Sequence, residues 1–136
     1  MNYIDNNSLL ITKLENQLFK HGKLIIGLDF DSTLYDYDPD NSVDTSKIVK
    51  LAQQCAELGF DICLWTIVNN KGLDIDEKVA WCTNKGITIS HVNASPMDND
   101  PRFKGNRKPY FNVLLDDNAG LDSAYHALKY SIRHLI

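Results

Sequence analysis

Apolar and polar positions alternate between two spacings along this chain. Leu24 to Leu28 is an unbroken apolar run, which predicts a strand buried on both faces, as in parallel sheets covered by helices. Phe60 to Trp65, Ile87 to Val92 and Tyr110 to Leu115 predict three more strands. Helical spacing fills the intervals. Ile48, Leu51, Cys55 and Leu58 form one stripe that Gly59 closes, and Ile75 to Lys85 forms another, with Val79 and Cys82 inward and Gly86 as its stop. Leu121, Tyr125, Leu128 and Ile132 end the chain as an amphipathic helix. Ahead of the first strand, Ser8 to Lys20 carries Leu10, Leu14 and Leu18, widened by Ile11 and Phe19, with Ser8 as cap and His21-Gly22 as stop. This helix is expected to pack on the outside of the sheet, and it is the segment expected to contribute to self-association.

The alternation predicts an α/β fold, a Rossmann-like three-layer sandwich with a mostly parallel sheet and helices on both faces. If the first strand is central, strands two and three lie to one side and strand four to the other. The switch point then falls between strands one and four. Ligands of open parallel sheets bind at the carboxyl ends of strands beside such a point. Two carboxylates stand there after the first strand, Asp29 and Asp31, and two more after the fourth, Asp116 and Asp117. An apolar strand gains nothing by ending in Asp29 unless a cation, a proton or hydrogen-bond donors offset the desolvation of its charge. Carboxylates gathered at one spot raise one another's pKa unless a cation compensates, and a hard divalent ion such as Mg²⁺ suits an all-oxygen set.

Composition narrows the classes. A chain of 136 residues reads as one domain over 1–136, with an N-terminal helical extension over 1–22 and a core over 23–136. Its net charge of -4 gives no general electrostatic footprint for nucleic acid or anionic membrane. No apolar stretch is long enough to span a bilayer and the first residues lack the basic start of a secretory signal, so a cytoplasmic location is expected. Cys55, Cys63 and Cys82 lack the paired spacing of a zinc site and read as buried free thiols. His21, His91, His126 and His134 form no ligand pair. Leu34 to Ser46, with Asp36, Asp38, Asp40 and Asp44, opens like a calcium-binding loop. Asn41 replaces the glycine such a loop needs and Lys47 the closing glutamate, so a solvated acidic turn is expected.

Asp29-Phe30-Asp31-Ser32-Thr33 resembles the first motif, D-x-D-x-T, of the haloacid dehalogenase superfamily of phosphatases and phosphotransferases. Leu64-Trp65-Thr66 is similar to the second motif, Lys108 to the third, with Lys104 as a rival, and Leu114-Leu115-Asp116-Asp117 to the fourth. They occur in the family's order, at strand ends, between residues 23 and 118. The likeness is nearest to the small members without a cap domain, which share a Trp-Cys pair like Trp81-Cys82 and a K-P-Y segment before the last motif. Both places where a cap would be inserted, after the first motif and between Asn93 and Arg107, are loop-sized here.

The resemblance implies a Mg²⁺-dependent phosphomonoester hydrolase working through an aspartyl-phosphate. Asp29 would be the nucleophile and Asp31 the general acid, then base. Mg²⁺ would be held by the Asp29 carboxylate, the Asp31 backbone carbonyl and Asp116, with Asp117 as a second or water-mediated ligand. Thr66 would hydrogen-bond a phosphoryl oxygen and Lys108 would neutralise its charge, while Ser32 and Thr33 support the turn. Trp65 and Trp81 read as packing residues. The substrate is expected to be a phosphorylated molecule. Two alternatives accompany this reading. One is action on nucleotides or nucleic-acid ends, for which Arg102, Lys104 and Arg107 argue and on which Tyr35 or Tyr37 could stack. The other is a non-catalytic phosphate-binding or regulatory protein on the same scaffold.

Overall fold

The computed structural model describes residues 6–36, 40, 42–67, 72–102 and 110–136. The elements in order are α1 (Asn6–His21), β1 (Ile25–Leu28), α2 (Ser46–Glu57), β2 (Asp61–Leu64), α3 (Ile75–Asn84), β3 (His91–Val92), a 3-10 helix (Pro96–Asn99), β4 (Val113–Leu115) and α4 (Leu121–Ser131). The strands pair in the order β3-β2-β1-β4, every pair parallel, which is the expected order with β1 central. Strands three and four are shorter than their apolar runs. Ile87 is fully buried without lying in a strand, because an edge segment can bury its side chains by packing while its backbone leaves the ladder.

The fold is the expected α/β, Rossmann-like arrangement, and its layers are unequal. Alternate strand positions, Ile26 and Leu28, Ile62 and Leu64, Val113 and Leu115, join one core with Leu14 of α1, Ile48 and Leu51 of α2, Cys82 of α3 and Leu128 of α4. Right-handed crossovers that step twice in one direction place α2 and α3 on the same side of the sheet. On the opposite face Phe111 lies against Gly27, and the 3-10 helix brings Asp98 close enough to Cys63 to help raise its thiol, which burial pushes up to about 12. Cys55 and Cys82 are buried free thiols as well.

The N-terminal helix packs on α4, with Leu14 buried and Leu10, Ile11 and Leu18 against the core. Phe19 departs from the expected stripe and is 92% exposed. At about 100° per residue it stands about 140° around the helix from Leu14, whereas Leu18 stands about 40° away. The acidic turn is solvated where it is described: Asp36, Asp40 and Asp44 are exposed, Ser42 donates to Asp36, and Ser46 donates to Asp44. Among the described residues no helix is long and apolar enough to cross a membrane.

Gly27 sits in the middle of the central strand for a steric reason. A Cβ there would lie under 3.0 Å from three ring carbons of Phe111, whose ring meets Trp65 edge-on with centroids 6.1 Å apart. Gly27→Ala is therefore expected to cost about 1–3 kcal/mol, the usual range for overpacking. Thermal unfolding of Gly27→Ala beside Gly27→Ala/Phe111→Leu checks this, since the smaller side chain should recover most of the loss. An unchanged melting temperature in the single variant would contradict the packing argument.

Candidate active site

Strand register brings the acidic residues together. Leu28 pairs with Leu64 on one side and Leu115 on the other, so the residues that follow all three strands emerge at one edge of the sheet. Asp29 is pinned there by its own N–H, which donates to the Leu115 carbonyl at 2.9 Å. One carboxylate oxygen from each of Asp29, Asp116 and Asp117 lies within 4.8 Å of the others. The chain then turns back sharply. Ser32 adopts a left-handed conformation with φ 63°, and the N–H groups of Leu34 and Tyr35 donate to the Phe30 carbonyl at 3.0 Å each. This turn drives Thr33, fully buried, under the carboxylates. Its hydroxyl is 3.1 Å from Asp29 Oδ2 and 3.3 Å from Asp117 Oδ1, and it accepts the Asp117 N–H at 3.0 Å. Thr33 thus ties Asp29 to Asp117 across the two strand ends, beyond the support of the turn expected of it.

Burial is the largest influence on Asp29, followed by the hydrogen bond it shares with Asp117 and the charge of Asp116, and together they push its pKa up to about 7. In the absence of a counter-ion the Asp29 carboxyl therefore holds its proton up to near neutrality. Such an oxygen-only set fits a hard divalent cation, which would replace the proton. Asp116 has a further role at its turn, where Oδ1 accepts the Asn118 N–H at 2.9 Å, and Gly120 rather than an acidic residue caps α4.

Asp31 does not join the three carboxylates. Its side chain turns the other way and pairs with Lys78, whose Nζ lies 3.1 Å from Asp31 Oδ2. The same ammonium donates to Thr66 Oγ1 at 2.8 Å and to the Ile67 carbonyl at 3.1 Å, and Lys78 is 2% exposed. Three protons meet three acceptors. Asp31 could therefore contribute only its backbone carbonyl to a metal held by the other carboxylates. The Thr66 hydroxyl accepts from Lys78, which leaves its own proton free to point at an incoming anion. The Thr66 N–H is occupied, donating at 2.8 Å to Oδ1 of Asn93, which follows β3 with φ 51°. Asparagine tolerates that left-handed conformation better than most residues.

Lys78 and Asn93 are the functional candidates that the sequence reading passed over. A signal for Lys78 existed: it falls on the inward stripe of α3, between Ile75 and Cys82 and beside Val79. It also stands in the first helical turn, where a cation opposes the helix dipole. A capping box of Asp74 and Glu77 fixes that turn. Val79, the expected inward residue, is half-buried while Lys78 is buried. Lys108 and its rival Lys104 lie outside the described residues, as do Arg107 and Tyr37. Arg102 is paired with Asp100 at 2.8 Å. Tyr35 stacks on Phe30 at 5.3 Å and meets Trp81 edge-on at 5.8 Å, so its ring is engaged within the protein. Trp81 is a packing residue, and Trp65 is half-buried against Phe111.

No family model matches this chain, and no curated protein matches it. A solved structure is similar to it, that of the conserved protein coded by a locus from Bacteroides thetaiotaomicron, with a TM-score of 0.58 and 20% sequence identity over 84% of this chain and 93% of that one. At that identity the likeness bears on the fold, an α/β domain with no cap indicated.

Proposed function

We propose that this protein is a Mg²⁺-dependent phosphomonoester hydrolase that acts through an aspartyl-phosphate. The observation that carries the reading is the junction of β1 and β4, where Asp29, Asp116 and Asp117 converge within 4.8 Å while Asp31 stands apart on a separate cation. Two carboxylates close in sequence and held in opposite environments suit two different chemical tasks. Four motifs resembling those of the haloacid dehalogenase superfamily support the same reading.

In the first half-reaction an Asp29 oxygen attacks phosphorus. The bond from phosphorus to the leaving oxygen breaks, and that oxygen keeps its electron pair and takes a proton carried on Oδ1 of Asp31, whose Oδ2 accepts from Lys78. In the second, water attacks the phosphorus of the aspartyl-phosphate as Asp31, now ionised, takes the water's proton. The Asp29 carboxylate and orthophosphate are released. Thr66 donates its free hydroxyl proton to a phosphoryl oxygen. Mg²⁺ bound by Asp29, Asp116, Asp117 and the Asp31 carbonyl would supply charge neutralisation between the two anions. Lys108 is proposed as the cation on the phosphoryl group, from the motif resemblance alone.

The test is release of phosphate by the wild-type protein, with Mg²⁺ and with chelator, from aryl phosphate, nucleotides, sugar phosphates and end-phosphorylated oligonucleotides. Metal-dependent release from at least one class is expected. A preference for oligonucleotides would favour action on nucleic-acid ends, and no release from any of them would favour a non-catalytic phosphate-binding protein.

A further inference from the structure

We infer that Lys78 is a positioning residue for Asp31 and Thr66, and that it governs the protonation of the leaving group more than the binding of phosphate. The inference rests on the reading of Asp31 as general acid and base. A lysine buried in the first turn of a helix is costly twice over. Its charge is desolvated, and it sits at the positive end of the helix dipole. Such an arrangement persists where the cation has defined partners. Those of Lys78 are unusually informative: Oδ2 of Asp31 at 3.1 Å, Oγ1 of Thr66 at 2.8 Å and the Ile67 carbonyl at 3.1 Å.

These three contacts use all the protons of the ammonium. To touch a phosphoryl oxygen Lys78 would have to release a partner, and at 2% exposure it has little room to move. The Phe30 ring also lies over the ammonium, its centroid 5.5 Å from Nζ. Lys78 therefore acts through its neighbours. It joins the loop after β1 to the segment after β2 and holds the Asp31 carboxylate away from Asp29, Asp116 and Asp117. Without that link nothing among the described residues fixes the Asp31 side chain, which pairs there with Lys78.

The consequence separates substrates by the basicity of their leaving oxygen. An alkoxide must be protonated as it departs, whereas a nitrophenolate leaves unaided. Positioned general acids contribute roughly 10²–10⁴-fold. In Lys78→Met, which keeps the length of the side chain without its charge, kcat/KM for glycerol phosphate is expected to fall at least about 100-fold. For 4-nitrophenyl phosphate the fall should be under about tenfold, and the inhibition constant of orthophosphate should rise by no more than that factor, the part that Thr66 carries. Lys78→Gln, which keeps two donors, serves if the Met variant does not fold.

Equal losses for both substrates together with weakened orthophosphate inhibition would make Lys78 a direct phosphate ligand and overturn the inference. Unchanged kinetics for both would reduce it to a structural ion pair. Crystal structures of wild type and Lys78→Met decide the matter even if the wild-type protein hydrolyses nothing. Asp31 should turn toward solvent and the Thr66 side chain should lose its fixed rotamer. If both keep their wild-type positions, Lys78 does not position them, whatever the protein's activity.

Discussion

Replacing Asp29 by Asn is expected to lower phosphate release by at least about 10⁴-fold, the scale on which loss of a covalent nucleophile acts, and at the same time to make the metal-free protein more stable. The first effect follows from the proposed chemistry, since an amide oxygen cannot form and break the acyl-phosphate bond. The second follows from electrostatics. Asp29 is raised from the ordinary carboxylate value of 3.8 to about 7 by burial and by Asp117 and Asp116, so the folded protein holds a proton that the unfolded chain gives up.

The sign is fixed by that difference. Below about pH 4 Asp29 is neutral in both states and costs nothing. As pH rises from 4 to 7 the unfolded chain ionises first and stability is lost; above about 7 the loss is complete. An amide avoids this loss while still donating to Asp117. The gain in Asp29→Asn should thus be absent near pH 4, grow through neutrality and level off above pH 7. Because Asp29 is only partly buried, solvent screening limits it to about 1–2 kcal/mol. Thermal melting of both proteins in chelator from pH 4 to 8.5 measures it. Full activity in the variant would end the nucleophile assignment, and a gain that is constant with pH would end the account of its carboxyl.

The second large effect concerns the cation. Divalent metal should raise the melting temperature of the wild-type protein by on the order of 10 °C when its concentration is about 100 times Kd, from the mass-action stabilisation of about 2.7 kcal/mol. In Asp116→Asn this rise and the phosphate release should both be lost. The weakening should exceed the roughly 10–100-fold that loss of an outer-sphere partner costs, because a contributor of charge at the centre of the cluster is removed. Binding below pH 7 should release a proton, since the ion displaces the one held at Asp29. Calorimetry in two buffers of different ionisation enthalpy reads that proton directly. A metal response that survives Asp116→Asn would place the ion elsewhere.

Much of this arrangement was legible in the chain. Leu24–Leu28 ending in Asp29 announced a strand-end site because an apolar run that closes in a carboxylate contradicts its own burial preference, and Asp116-Asp117, which alone would read as a helix cap, joined it as the partner across the switch point. The order β3-β2-β1-β4 is the one expected with the first strand central, a placement that the structure supplies. Lys78 was hidden for the opposite reason. A lysine on a helix is ordinarily solvated, and its place on the inward stripe beside Val79 left two registers of nearly equal apolar content. Asn93 was hidden among the polar residues of its loop, where only the left-handed backbone and the bond to Thr66 distinguish it.

By itself the sequence determined the fold class, the number of strands and the acidic pairs at their ends, since each depends on local periodicity and on where apolar runs stop. Tertiary structure alone decided how those ends are used. The register of β1 with β4 sets the distance between Asp29, Asp116 and Asp117, and burial raises the Asp29 carboxyl to about 7. The first turn of α3 delivers Lys78 to Asp31, separated from it by 47 positions. Distances between charges and the solvent around them are properties of packed elements, and no spacing along the chain encodes them.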